Sequence, residues 1–149
     1  LKPDFAEAHN NLGNTLQDLG RLVEALASYT QAIALKPVYA EAHNNLSNTL
    51  KELGRFDEAE ASCRQAIALK SDFAEAHYSL GSTLKELGRL DEALASYNQA
   101  IILKNNFGKA QLGLGLVLML MGQHKEGLRQ IRLGNGAIIF DIDNWAVIQ

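Results

Sequence analysis

Residues 49–55 have the sequence TLKELGR, and the same seven letters return at residues 83–89, which lie 34 positions further on. The same step connects other residues of one kind, namely Gly20, Gly54, Gly88 and Gly122, and His9, His43 and His77. A fixed period of this length is typical of a helical solenoid, in which short helical units stack on one another. The repeat therefore predicts an all-α fold. It also indicates that the function should be sought in a binding surface rather than in a catalysed reaction.

Counted from Ala6, the period divides most of the 149 residues into four units. The first five residues match the end of a unit, because Leu1-Lys2-Pro3 corresponds to Leu35-Lys36-Pro37. We interpret them as the remnant of a preceding repeat and expect this chain to be a piece of a longer protein. The predicted organisation is a remnant at 1–5, units at 6–39, 40–73 and 74–107, a degenerate unit at 108–133, and a cap or the start of a further domain at 134–149.

Each unit contains two apolar patterns with helical spacing. They predict helices near residues 6–19, 23–36, 40–53, 57–70, 74–87, 91–104, 108–121 and 124–133. Gly20 follows the first of them, where a left-handed C-terminal residue favours glycine, and Pro37 should end the second. Asp57 and Asp91 suit the start of a helix, because a side-chain oxygen there can accept hydrogen bonds from free amide groups.

The repeated phrases identify a family resemblance. Ala-Glu-Ala-His at 6–9, Gly-Arg at 20–21 and Glu-Ala at 24–25 recur in phase, and over residues 6–133 the pattern resembles the tetratricopeptide repeat. Two departures are histidine at the fourth position, where the family often has tryptophan, and Cys63 at the usual aromatic position. The resemblance implies a right-handed superhelical solenoid of antiparallel helix pairs that acts as a protein-interaction scaffold.

Composition narrows the class of partner. The net charge is −3 with both signs interspersed, so the chain lacks the basic stripe that a nucleic-acid surface would show. The longest apolar run, at residues 114–121, is too short to span a membrane. A single cysteine gives no intrachain disulfide and fits a reducing compartment, which favours a cytoplasmic location. We expect a protein or peptide partner, with no nucleic acid and no membrane.

Nothing in the sequence indicates a catalytic or metal site. The histidines of neighbouring units should lie on the order of 10 Å apart, given helix packing distances, whereas zinc ligands lie about 2 Å from one centre. Cys63 is expected to be a buried thiol without a nearby base. Carboxylate pairs such as Asp57 and Glu58 lie in the first turn of a helix, where they complement its dipole. We therefore predict a non-enzyme without cofactor or metal.

A row of polar residues occupies the fifth, sixth and ninth positions of successive units, which in the family line the concave groove. An amide side chain both donates and accepts, so such a row can bind the backbone of an extended peptide. The row resembles the asparagine ladder in the repeat region of O-linked N-acetylglucosamine transferases. Its members are Asn10, Asn11 and Asn14 in the first unit, Asn44, Asn45 and Asn48 in the second, and Tyr78, Ser79 and Ser82 in the third.

Charged residues border the same groove. Lys51, Lys85 and Glu41 are expected around the asparagines. The family's two-carboxylate clamp requires Lys or Arg at the second position, whereas this chain has Glu7, Glu41 and Glu75 there. A clamp for a carboxylate terminus is therefore disfavoured, although Lys109 has the required sign. The alternative interpretation of the asparagines is that they only keep the groove soluble.

The end of the chain leaves several possibilities open. Residues 137–148, which include Ile138, Phe140 and Trp145, are extended and β-prone in composition. They could be a cap over the last repeat, the first strand of a following domain, or an oligomer contact. For the chain as a whole, the alternatives to a binding scaffold are a substrate-recruiting fragment of a larger enzyme such as a glycosyltransferase, and a homo-oligomer formed through the solenoid ends or residues 137–149.

Overall fold

The computed structural model describes residues 3–136, 139–141 and 146–148 of the chain. Within them the elements run in the order α1 Pro3–Asp18, α2 Leu22–Leu35, α3 Ala40–Glu52, α4 Phe56–Leu69, α5 Ala74–Glu86, α6 Leu90–Leu103, α7 Gly108–Leu120, α8 His124–Gly134, β1 Ile139–Asp141 and β2 Ala146–Ile148.

The helices form pairs that stack in sequence order. Each first helix packs on the second helix of its own unit, and each second helix packs on the first helix of the next unit. First helices of successive units also contact one another, whereas within the described residues no two second helices approach within 8 Å between Cα atoms. The first helices therefore lie on the shorter, inner side of the stack. The predicted all-α solenoid of helix pairs is confirmed.

Seven of the eight helices begin within two residues of the predicted positions, and α1 is the exception. It begins at Pro3 instead of near residue 6. In the later units the corresponding residues, such as Pro37 and Val38, form the turn between α2 and α3. Proline is favourable in the first turn of a helix because its missing N–H group would have no helical partner there. Residues 3–5 therefore extend α1, while the first two residues of the predicted remnant lie outside the described range.

The turn inside each unit depends on one glycine. Gly20 has a φ of 72°, and Gly54, Gly88 and Gly122 have φ values of 74°, 74° and 79°. This left-handed conformation strains every residue that has a Cβ atom, so the prediction for Gly20 is confirmed and explains why the glycine recurs.

The capping predicted for Asp57 and Asp91 is wrong. The N-cap residues are Arg55 and Arg89, and neither makes a side-chain capping hydrogen bond. Each aspartate instead stands at the second helical position, past the point from which a side chain can reach back to the free amides. The arginine instead pairs through two hydrogen bonds with the glutamate three residues further on. Arg55 Nε and Nη2 donate to Glu58 at 2.7 and 2.6 Å. The acids still complement the helix dipole.

The core of a unit depends on a small residue facing an aromatic ring. Tyr29 is fully buried, and a Cβ atom added to Gly13 would lie 2.5 Å from its ring. Gly81 faces Tyr97 in the same way in the third unit, at 3.0 Å. In the second unit both partners change, because Ser47 is paired with the buried Cys63. The second unit thus has a larger residue on its first helix, Ser47 in place of glycine, and a smaller residue on its second helix, Cys63 in place of tyrosine.

The outer face of α1 is uncovered, in contrast to the equivalent faces of α3, α5 and α7. Ala42, Ala76 and Ala110 are fully buried under a preceding second helix, whereas Ala8 is exposed. Leu12 is 48% exposed, although its equivalents Leu80 and Leu114 are 6% and 5% exposed. The described end of the solenoid therefore carries an apolar face without a covering helix.

The described part of the C-terminal segment is a small hairpin. Strands β1 and β2 are antiparallel, with Ile139 opposite Ile148, and β1 contacts α8. The prediction of extended structure is confirmed for these six residues. Ile138 and Trp145 lie outside the described residues, and the choice among cap, further domain and oligomer contact stays a prediction.

The pairing of Gly13 with Tyr29 can be tested with a double-mutant cycle. Gly13→Ser should lower the free energy of unfolding by about 1–3 kcal/mol, because the added side chain overlaps the tyrosine ring. Tyr29→Cys should also destabilise, since it leaves a cavity. The double variant reproduces the pair found in the second unit, so its loss in denaturant unfolding should be smaller than the sum of the single losses. Additive losses would contradict the pairing.

Candidate functional site

The inner groove is formed by the first helices α1, α3, α5 and α7, and the predicted polar row lies along it. In the first two units three of its asparagines form one hydrogen-bonded cluster. Asn45 Nδ2 donates to Asn10 Oδ1 at 3.0 Å and to Asn14 Oδ1 at 3.1 Å. Asn14 Oδ1 also accepts a hydrogen bond from the hydroxyl of Tyr29 at 2.8 Å. The core aromatic of the first unit therefore fixes the orientation of the groove asparagines.

The row continues between the second and third units with two further cross-links. Ser79 Oγ donates to Asn48 Oδ1 at 3.0 Å, and one helical turn further on Lys51 Nζ donates to Ser82 Oγ at 2.9 Å. Because each of these bonds joins α3 to α5, the polar side chains hold successive first helices together. They also leave Asn48 Nδ2 and the rest of the Lys51 ammonium available to a ligand.

The remaining predicted residues are not part of these clusters. Asn11 is exposed on α1, on the open side of the row. Lys85 lies 3.0 Å from Glu86, and Glu41 lies 3.7 Å from Lys70 across the next inter-unit turn. Two of the predicted charges are therefore neutralised by neighbours.

A cavity of about 620 Å³ opens on the groove at its C-terminal half. Helices α3, α5 and α7 supply most of its walls, and Gly134 at the end of α8 closes one side. Aromatic and apolar groups form the interior, because the ring of Tyr78 lies 5.4 Å from that of Phe107, between centroids, and Leu112 lines the opposite wall. The cavity brings together the predicted residues Asn44, Asn48, Tyr78 and Ser79.

The charges at this cavity are partly balanced. Glu75 pairs with Lys104 at 2.7 Å, and the Lys104 ammonium also lies 4.7 Å from the centre of the Phe107 ring. Hydrogen bonding to that ammonium lowers the pKa of Glu75. The repulsion that Glu75 was expected to exert on a carboxylate is therefore largely cancelled. Lys109 adds a positive charge at the rim, and within the described residues no carboxylate pairs with it.

Phe107 and Lys104 were missed by the sequence analysis of the groove. A signal was present, because a Lys-x-x-aromatic phrase recurs with the 34-residue step at the junction of units. In each case the ammonium lies over the ring, with distances of 4.7, 5.0 and 4.7 Å for Lys36–Tyr39, Lys70–Phe73 and Lys104–Phe107. The phrase thus marks the inter-unit turn that borders the groove.

One buried polar atom of this site has no partner. Asn44 is 6% exposed, and its Oδ1 atom accepts no hydrogen bond from any described group. An unsatisfied buried carbonyl costs roughly 1–3 kcal/mol, so such atoms are rare. Asn44 also lines the cavity, although its Oδ1 atom is itself buried and closed to a ligand there.

Two tetratricopeptide-repeat family models match the chain, one at residues 4–72 and the other at residues 44–106. Together they span residues 4–106, which is more than half of the 149 residues. The chain therefore consists of tetratricopeptide repeats over this range and belongs to that repeat family. A comparison with curated proteins found no match.

Solved structures with the same fold extend the likeness beyond the matched range. A crystal structure of MamA is 27% identical with a TM-score of 0.80, covering 91% of this chain and 79% of that one. The first tetratricopeptide-repeat domain of Spaghetti (RPAP3) is 24% identical with a TM-score of 0.79, covering 82% and 97%. The corresponding domain of Arabidopsis OM64 is 24% identical with a TM-score of 0.77, covering 79% and 98%.

Two further observations concern the described part of the chain. It contains no group of three or more His, Cys, Asp or Glu side chains placed to hold a metal ion. None of its helices combines the length and the apolar character needed to cross a membrane.

The link between Tyr29 and the groove predicts a pH dependence. Burial raises the pKa of Tyr29 from 10.0 to about 12. The folded state therefore keeps the hydroxyl proton that the unfolded chain loses near pH 10, so stability falls as pH rises from about 10 to 12, by up to about 1.4 kcal/mol per pH unit.

Denaturant unfolding of wild type and Tyr29→Phe between pH 9 and pH 12 checks this, since lysines titrate equally in both proteins. The stability of wild type relative to Tyr29→Phe should fall as the pH rises from about 10 to 12. A constant difference across this range would show that Tyr29 does not titrate with a raised pKa.

Proposed function

We propose that this chain is a non-catalytic scaffold for protein–protein interaction that binds an extended peptide or protein segment in its inner groove. The observation that carries the proposal is the cross-linked polar row, which runs from Asn10 to Ser82 beside a partly apolar cavity. A row whose orientation is fixed by its own hydrogen bonds loses little entropy when a ligand binds. The proposed cytoplasmic location is supported by the single cysteine, which gives no intrachain disulfide and fits a reducing compartment.

The shape of the groove supports a peptide ligand. Solenoids of this kind present extended inner surfaces, and amide and hydroxyl side chains can bond the backbone of a peptide irrespective of its sequence. The RPAP3 domain with the same fold has been solved with the HSP90 peptide SRMEEVD. Its likeness to this chain supports the fold, and the peptide belongs to that protein. The proposal for this chain depends on its own asparagines.

The role of the row can be tested with a ligand selected from a random peptide library displayed on phage. Asn11→Ala combined with Asn45→Ala should weaken the selected peptide by about 1–3 kcal/mol, or roughly 5- to 150-fold, because each lost hydrogen bond is worth about 0.5–1.5 kcal/mol. Isothermal titration calorimetry measures the change, and circular dichroism confirms that the variant is folded.

The matched control changes two exposed amides on second helices, Gln31→Ala combined with Gln65→Ala. This variant should bind the selected peptide with unchanged affinity. If the asparagine double variant folds and binds as tightly as this control, the row only keeps the groove soluble and the proposal fails.

The alternative in which the chain belongs to a larger enzyme uses the same groove for a different purpose. In that hypothesis the polar row recruits substrates for a larger enzyme, such as a glycosyltransferase of the class whose asparagine ladder it resembles. The downstream reading frame distinguishes the two cases, and residues 1–149 alone should show no turnover in either.

A second candidate function, self-assembly, has an observation of its own. The uncovered face of α1 presents Phe5 and Leu12, and Leu19 directly follows the helix; they are 59%, 48% and 65% exposed. These residues are seven apart, which places them on one side of the helix, and apolar surface of this kind is typical of a contact between proteins. A second copy could cover it with a second helix, as α2 covers α3 within the chain.

Light scattering across a concentration series tests this candidate. If α1 is an interface, the wild-type mass should be a multiple of 16.3 kDa, and Leu12→Glu should return it to 16.3 kDa because a charge cannot be buried there without a partner. The matched control is Ile102→Glu on α6, an exposed apolar residue away from the end face. A mass of 16.3 kDa for the wild type at all concentrations would exclude assembly through α1.

A further inference from the structure

Lys51 is the most unusual charge of the inner groove. It is half-buried, and its ammonium donates one hydrogen bond, to Ser82 Oγ at 2.9 Å. Within the described residues no carboxylate lies within ion-pair distance of it. Burial lowers the pKa of Lys51, which means that its charge is stabilised less well than in water. An ammonium in this position has donors left over for a ligand.

The two nearby acids are occupied by other groups. Glu52 Oε1 accepts a hydrogen bond from Gln17 Nε2 at 2.7 Å, and Glu86 is paired with Lys85 at 3.0 Å. Lys85 stands at the same position of the third unit as Lys51 does in the second, since they are 34 residues apart. Of these two lysines, Lys51 is the one whose charge the fold leaves unmatched. Lys109 at the cavity rim has no carboxylate partner within the described residues either, but it is exposed, whereas Lys51 is half-buried.

Cys63 changes what lies behind Lys51. In the first unit the hydroxyl of Tyr29 reaches the groove, where it donates to Asn14 Oδ1 at 2.8 Å and lies 3.1 Å from Gln17 Oε1. The second unit has Cys63 at that position, so no tyrosine hydroxyl reaches the groove there, and the thiol has Ser47 and Thr83 as hydrogen-bond partners. Lys51 occupies in the second unit the position that Gln17 has in the first, and it lies close to Cys63. Burial raises the pKa of the Cys63 thiol, and the nearby Lys51 ammonium partly opposes that rise.

Lys51 lies next to the edge of the cavity. Asn48 and Ser79 line the cavity, and Lys51 and Ser82 follow them by three residues on the same two helices. Three residues of helix rise by about 4.5 Å. The apolar walls lie on α5 and at the start of α7, whereas Lys51 lies on α3. An extended chain advances about 3.3 Å per residue, so a peptide of a few residues spans the cavity and Lys51.

We infer that the groove binds an extended peptide that has an apolar side chain in the cavity of Tyr78, Phe107 and Leu112 and, a few residues away, an Asp or Glu on Lys51. This inference rests on the proposed peptide-binding function and specifies its ligand. The apolar side chain is removed from water by the aromatic walls, and the carboxylate supplies the ion pair that Lys51 lacks.

Short synthetic peptides in a Gly-Ser background test the inference on residues 1–149 by fluorescence anisotropy. The set places Asp from about one to four residues after Leu, makes each spacing also with Lys in place of Asp and with Ala in place of Leu, and includes both chain directions. At one spacing and direction the peptide with Leu and Asp should bind at least about tenfold more tightly than its Lys and Ala counterparts, given the charge pair and the apolar area that they lose.

Variants of the two lysines identify the contact. Lys51→Met should bring the affinities for the Asp and Lys peptides to within about twofold of each other, and Lys51→Arg should keep the preference for Asp because it keeps the charge. Lys85→Met is the matched control and should also keep the preference for the Asp peptide. Denaturant unfolding of each variant confirms that the fold is unchanged.

The outcomes separate this inference from the proposed function. Peptides that bind and depend on Asn11 and Asn45, but show no preference for an acid at any spacing from the apolar position, would overturn the inference alone. A preference for acid that survives in Lys51→Met would also overturn it. Failure of every peptide to bind, together with failure of the phage selection, would overturn both.

Discussion

The structure depends on the packing of each unit's second helix over the first helix of the next unit. Ala42, Ala76 and Ala110 are fully buried because a preceding second helix lies directly on them, and only a small residue allows that approach. The same packing brings the first helices into contact with one another on the inner side. The groove is thus a consequence of the packing between units, and the exposed Ala8 marks the place where this packing stops.

Core and groove are connected through the tyrosine hydroxyl. Gly13 admits the ring of Tyr29, whose hydroxyl then reaches Asn14 on the inner side. Asn14 in turn accepts from Asn45 in the next unit. A change at the glycine would therefore displace a ring, then a hydroxyl, and then the amides that face a ligand. This chain of contacts explains how a binding surface can be rigid although its polar side chains are half-exposed.

The sequence was sufficient for the features that local chemistry determines. The 34-residue step predicted the helices, and the left-handed turn at Gly20 followed from the recurrence of glycine. It was insufficient where the outcome depends on which neighbour a side chain meets. That Asn45 would use both amide hydrogens within the groove, and that Asp57 would not cap its helix, follow from three-dimensional positions that a one-dimensional pattern does not contain.

The most specific chemistry of the groove arises where a unit departs from the repeat. The exchange of an aromatic residue for Cys63 removes a hydroxyl from the back of the groove, and Ser47 replaces the glycine that the ring would have required. Lys51 is half-buried beside this smaller pair and, within the described residues, forms no ion pair. An array of identical units would present the same surface at every step and could bind a peptide in several registers. A half-buried lysine without an acid partner, beside one aromatic cavity, instead favours a single register, because only one alignment of a ligand satisfies both.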